Sequence, residues 1–170
     1  GMRADAMASN INTYLTTSKP DIVLAHAGTN DLFQGESSTD TATAVTDLVT
    51  NMQTWQSTST QSLTIIEAQI IPSYQSATAS SSVALSTIEA FNTEMANSLS
   101  ATFDNSLNAN FQVRLVDQYN ELDPELDMTT KGTVEGQDNN GLHPNTSGYT
   151  KMADKWYEAL MDSNELVKCD

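Results

Sequence analysis

The chain's 170 residues suffice for one domain with a proper core, and 38% of them are apolar. Its 22 acidic residues against 7 basic ones give a formal net charge of −15, which repels phosphates and excludes nucleic acid and anionic membrane as partners. No apolar run approaches the length of a membrane span.

Charged residues make up 17% of the chain, and the lysine-poor surface suits a secreted protein. No signal peptide is visible, so a secreted chain implies that a leader, or more, was removed ahead of "GMRADAM". The lone cysteine, Cys169, reads either as a free thiol or as half of a disulfide with a partner elsewhere. "NTS" at Asn145 fits a glycosylation sequon.

In chain order, residues 4 to 15 place Met7, Ile11, Tyr14 and Leu15 at helical spacing. "KPDIVLAHAG" follows, a proline breaker and then a short strand ending at Gly28. A second helix runs from about Thr39 to Gln56, with Val45, Leu48, Val49, Met52 and Trp55 on one face. "SLTIIEAQIIP" is a buried strand closed by Pro72, and "SYQSATASSS" reads as a solvated loop. Ile88, Phe91, Met95 and Leu99 mark a third helix, and "FQVRLVD" a third strand. The last helix spans Tyr149 to Leu160, with Met152, Trp156, Tyr157 and Leu160 inward and "NTS" as its cap. Such alternation predicts βαβ units and a parallel sheet with helices on both faces.

In an open parallel sheet, ligands bind beyond the carboxyl ends of the strands. "GTND" follows the first strand, and the segment after the third delivers His143 in "GLHPN". Gly28 permits a tight turn, Asn30 offers an N–H₂ to a developing oxyanion, and Asp31 can hold the turn through backbone hydrogen bonds. His26 is expected to pack at the strand end. Neither His26 with Asp31 nor the trio Asp123, Glu125 and Asp127 has the spacing of a metal motif, so no metal or cofactor is expected.

"RADAMASNINTYL…PDIVLAHAGTNDL" and "GLHPNTSGYTKMADKWYEAL" together resemble the SGNH (GDSL-like) hydrolases, in particular their carbohydrate-esterase, acetylxylan-esterase-like branch. The likeness covers nearly the whole chain. It implies a flavodoxin-like α/β/α sandwich and ester hydrolysis through an acyl-serine intermediate. It further implies that Asn30 is an oxyanion-hole donor, His143 the general base, and Gly1 a second oxyanion donor through its backbone nitrogen. The "GM" start is equally what a cleaved tag leaves, so two readings of Gly1 stand.

Two departures from the family pattern matter. Nothing in the chain matches the Gly-Asp-Ser block that carries the nucleophile. The family's acid, three residues before the histidine, is here Asn140, and in a serine protease the same exchange lowers turnover about 10⁴-fold. Two alternatives stand: Asp138 replaces it if the loop bends, or a Ser–His dyad oriented by a backbone carbonyl suffices.

The chain is therefore expected to be residues 1–170 of a single SGNH domain, its C-terminal portion, without the first strand or strands. A missing central strand would remove about five apolar side chains worth roughly 1.5–3 kcal/mol each. That loss rivals the net stability of a domain, about 5–15 kcal/mol. A cleaved N-terminal piece, a second copy or a longer parent would supply the strands, and the chain alone would have little or no turnover. The expected substrate is an acylated carbohydrate or other ester. The rivals are a catalytically dead binding or structural module and a lipid or aryl esterase on the same frame.

Overall fold

The apolar stripes settle into helices and strands where their spacing places them. A computed structural model describes residues 1–78, 83–129 and 141–161. In chain order these form α1 (Ala4–Ser18), β1 (Ile22–Ala25), α2 (Thr29–Phe33), α3 (Ser38–Ser57), β2 (Leu63–Ala68), α4 (Tyr74–Ala77), α5 (Leu85–Thr102), β3 (Phe111–Val116) and α6 (Thr146–Met161). Every strand and long helix expected from periodicity is present. Two compact units divide the chain: Gly1–Ile70 with Ser86–Leu115, and Ile71–Leu85 with Val116–Asp170.

The first unit holds the sheet, in the order β1-β2-β3. β2 runs parallel to β1, with Ile22 opposite Thr64 and Ala25 opposite Glu67. β2 has a neighbour on each side and is the best buried strand; Ile65, Ile66 and Ala68 are shut off from solvent. β1 pairs only with β2 among the described residues, and its Leu24 is 45% exposed.

Helix α3 packs along α1 and is hydrogen-bonded to α5. α3 buries Val45, Leu48, Val49 and Met52, while α5 buries Ile88, Phe91, Met95 and Leu99. Asn51 donates to the Ala8 carbonyl at 3.0 Å, tying α3 to α1. Thr46 and Ser98 hydroxyls share a hydrogen bond at 2.8 Å, tying α3 to α5. The buried stripe of α1 is Ala4, Ala8, Ile11 and Leu15. Tyr14, expected inside, is exposed, because the small alanines and not the ring face the neighbouring helix. Trp55 is half-buried, and its indole N–H donates to Thr16 at 3.1 Å.

The "GTND" segment is not a bare turn. Gly28 caps a helical turn over Thr29–Phe33, and the Leu32 N–H returns to the Gly28 carbonyl at 3.1 Å.

In the second unit, Ile71, Leu122 and Met128 form a small core with Tyr74 and Met152 packed against it. Part of the Ser-rich stretch is ordered as α4, capped by the Ser73 hydroxyl accepting from the Ser76 N–H. α6 is capped as expected, the Asn145 side-chain oxygen Oδ1 accepting from the Gly148 N–H at 3.1 Å. Its Met152, Trp156 and Leu160 are half-buried, but Tyr157 is exposed, so the inward face is narrower than its spacing implies.

The end of β2 depends on one amide. Asn92, 3% exposed, accepts from the Ile70 N–H at 2.9 Å and donates to the Ile70 carbonyl at 3.0 Å. Asn92→Ala orphans two buried backbone groups and should cost roughly 2–4 kcal/mol, read as a fall in the urea midpoint; Asn92→Asp, which buries a carboxyl against the Ile70 carbonyl, should cost at least as much at neutral pH.

Candidate functional site

The chain leaves β1 at Ala25 and enters a turn that admits no side chain at Gly28. That residue sits at φ +113, and a Cβ there would stand 2.5 Å from the Phe91 ring. Glycine is therefore required twice over, by the backbone and by the aromatic ring packed beneath it. The following helical turn presents Asn30, half-buried, whose Nδ2 donates to the Met2 carbonyl at 3.1 Å. A side-chain amide carries two N–H donors, and no second acceptor faces this one among the described residues. Gly1 lies directly against the Asn30 amide. The two groups expected to form an oxyanion hole are thus neighbours.

Asp31 supports this turn in a way the sequence pattern did not disclose. Its carboxylate is 1% exposed and accepts the Ala4 N–H through both oxygens at 3.1 Å. Ala4 begins α1, whose N-cap position holds Arg3 and receives no capping bond from that side chain. Asp31 acts as the cap from outside the helix. The Arg3 guanidinium adds to it, with Nε 3.8 Å from Asp31 and Nη2 2.7 Å from Glu36. Burial pushes the Asp31 carboxyl upward, and the Ala4 N–H and Arg3 offset only part of that rise. The sequence carried a signal for this contact: "MRADAM" opens a helix with no Ser, Thr, Asn or Asp at its cap.

His26 stands at the β1 end, exposed rather than packed. The surrounding protein drives its pKa downward by desolvation, an effect that its open face weakens.

A group not singled out from sequence lies on β2. Glu67 is 0% exposed, and neither carboxylate oxygen has a hydrogen-bond partner among the described residues. Burial pushes its pKa up to about 8, while the Ala27 N–H pulls weakly the other way from beyond hydrogen-bond geometry.

His143 belongs to the second unit, on the loop that enters α6, with its side chain exposed. Its position is set through its backbone. The His143 carbonyl accepts from the Thr129 N–H at 2.8 Å and the Thr129 hydroxyl at 2.9 Å. Met128 and Pro144 pair as an antiparallel bridge, and Asn145 donates its N–H to the Asp127 carbonyl and its amide to the Leu126 carbonyl at 2.7 Å. Asp127 anchors the turn from below. Its carboxylate takes the Asp123 N–H, the Ser147 hydroxyl and the Lys151 ammonium at 2.8, 2.9 and 2.6 Å. Burial pushes Asp127 up, but these three donors outweigh it and hold the carboxyl below its usual range. Of the "DPELD" acids, Asp127 and Asp123 are engaged internally, Asp123 accepting from the Glu125 and Leu126 N–H groups, while Glu125 is exposed. Ser147 and Lys151, four apart on α6, were the sequence signal for this clamp.

Gly1, Gly28, Asn30 and Asp31 therefore come together in one unit, and His143 stands clamped in the other. Asn140 and Asp138 lie outside the described residues.

The elements define an α/β protein with a parallel sheet. Residues 3–156 match the GDSL-like lipase/acylhydrolase family, and the chain belongs to that family of esterases and acylhydrolases. Among solved structures, a family 3 carbohydrate esterase from Talaromyces cellulolyticus is 23% identical, with 95% of this chain and 67% of that one covered at a TM-score of 0.68. The family 3 carbohydrate esterase of Clostridium thermocellum is 24% identical, covering 95% and 66% at 0.67. A GDSL-like lipase from Bacteroides thetaiotaomicron is 14% identical, covering 95% and 72% at 0.66. The chain thus spans about two thirds of the length of these structures. The likeness shows the fold, a parallel sheet with helices on both sides. No curated protein sequence matches.

Glu67 makes stability depend on pH in a defined direction. Its folded pKa lies above the ordinary carboxylate value, so its contribution is intact in acid and is lost as pH rises toward about 8. Glu67→Gln, uncharged at every pH, should gain on the unaltered chain by up to about 1.4 kcal/mol per pH unit across that window. Denaturant unfolding at pH 5, 7 and 9 measures it, and parallel curves for the two proteins would mean the carboxyl is not shielded.

Proposed function

We propose that this chain is the C-terminal portion of a secreted serine ester hydrolase that removes acetyl groups from a polysaccharide such as xylan. The observation that carries the reading is Gly1 packed against the side-chain amide of Asn30, beside the Gly28 turn at the end of a strand. Membership of the GDSL-like family supports the ester chemistry, and the likeness to the Talaromyces and Clostridium carbohydrate esterases supports a sugar ester.

The nucleophile is a serine outside these 170 residues, on a strand that adds to the open edge of β1. The half-exposed Leu24 and the half-buried Ile22 and Val23 support that addition. A cleaved fragment, a second copy or the longer parent supplies the strand. His143 takes the serine proton as the oxygen attacks the acyl carbonyl. The carbonyl oxygen gains negative charge and accepts hydrogen bonds from Asn30 Nδ2 and the Gly1 nitrogen, which are worth most where water is excluded. His143 returns the proton to the departing sugar oxygen, and water then releases the acid by the same route. Asp138 orients the imidazole, or Asn140 does so through its amide.

Asn140 in the place of the family's acid also supports a second reading, a binding module without turnover. A fluorophosphonate probe on the product of the whole gene separates the two readings, since only the enzyme is labelled. In the labelled protein, Asn30→Ala should lower kcat about 10²–10³-fold, and His143→Ala about 10²–10⁴-fold. Acetyl esters should outrun long-acyl esters; the reverse order would assign a lipid esterase.

A further inference from the structure

Glu67 is an anomaly of β2. A central strand excludes charge, and an isolated carboxylate in such a site costs several kcal/mol unless it is neutralised or paired. Both oxygens of Glu67 are buried without a partner among the described residues, and the Gln69 Oε1, two positions along the strand, shares that state. Alternation along the strands sets Glu67 on the same face as Ala25, its register partner, and opposite to Leu24. Ala25 and Ala27 are both buried, and neither methyl group offers a hydrogen bond. The backbone N–H of Ala27 lies near the carboxyl but outside hydrogen-bond geometry, and it opposes the upward push of burial. One residue further is Gly28, held against Phe91, and two beyond that is Asn30.

We propose that Glu67 is a positioning residue for the turn that carries Asn30, acting through the Ala27 backbone. The inference rests on the reading of Asn30 as an oxyanion donor. An uncharged carboxyl leaves the Ala27 N–H loosely engaged and the turn in the observed arrangement. A carboxylate, unpartnered among the described residues, draws that N–H in, and Gly28, packed against Phe91, passes the movement to Asn30. Ionisable groups on the adjoining elements are His26 after β1, Arg3 at the start of α1, Asp31 on α2, Asp47 on α3, Glu94 on α5 and Arg114 on β3. None of these described groups hydrogen-bonds to the Glu67 carboxyl.

The test is an amide titration by nuclear magnetic resonance on the full chain between pH 6 and 9. The backbone signals of Ala27 and Gly28 and the side-chain amide of Asn30 should move together, with one midpoint near pH 8. In Glu67→Gln the three signals should stay at their acid-form positions across the range. Movement that survives in Glu67→Gln, or stationary signals in the unaltered folded chain, overturns the proposal. Infrared spectroscopy of the unaltered chain guards against a variant that fails to fold: a protonated-carboxyl band should fade in step with the Ala27 shift, and its absence at pH 6 refutes the idea. Neither readout requires turnover. An unlabelled, inactive gene product with coupled amide shifts therefore defeats the hydrolase reading and leaves the positioning role of Glu67 intact.

Discussion

The carboxylate of Asp31 is the joint on which the first unit turns. It lies in the helical turn after β1 and closes the exposed amine end of α1, a helix that begins without a capping side chain of its own. Removing that carboxylate would leave the Ala4 N–H unpaired and Arg3 without its nearest buried partner. The segment from Gly1 to Arg3 is thereby held beside Asn30. The pairing of Gly1 with Asn30 follows from how α1 is capped, so the support of the helix and the shape of the candidate oxyanion site are one arrangement.

His143 is held by the same logic with different chemistry. A histidine that exchanges protons must keep its ring accessible, so its backbone is what can be fixed. Thr129 binds the carbonyl twice, and Asp127 ties the supporting turn to the first helical turn of α6 through Ser147 and Lys151. The clamp is strongest where the Asp127 carboxyl is ionised and weakens as pH falls through its lowered pKa. Acid therefore loosens the histidine loop, whereas alkali acts on the strand beneath Asn30.

The alternation of strands and helices was legible because Ile65, Ile66, Val45, Leu48 and Phe91 have no stable place except inside, and their spacing names the element. Gly28, Asn30 and Asp31 were legible as a group because glycine and Asx residues cluster where a strand ends. Other features depend on three-dimensional neighbours that spacing does not encode. Tyr14 and Tyr157 share the apolar period of their helices yet lie outside, because a tyrosine tolerates water at its rim and alanine packs closer. The pairing of Asp31 with Ala4 spans 27 positions. Glu67 was visible as a letter within an apolar run, but only burial without a partner makes it a question of chemistry.

The side of β1 that pairs with no described residue has a consequence for how the chain behaves in solution wherever a further strand does not occupy it. Between Pro20 and Gly28 there is no lysine or arginine, the residues that ordinarily guard such an edge. Separation between copies falls to the net charge of −15. That repulsion reaches about 10 Å at 0.1 M ionic strength and only about 3 Å at 1 M. Concentrated brine thus removes the colloidal barrier and leaves the apolar ribbon of Ile22, Val23 and Leu24 as the route by which molecules adhere.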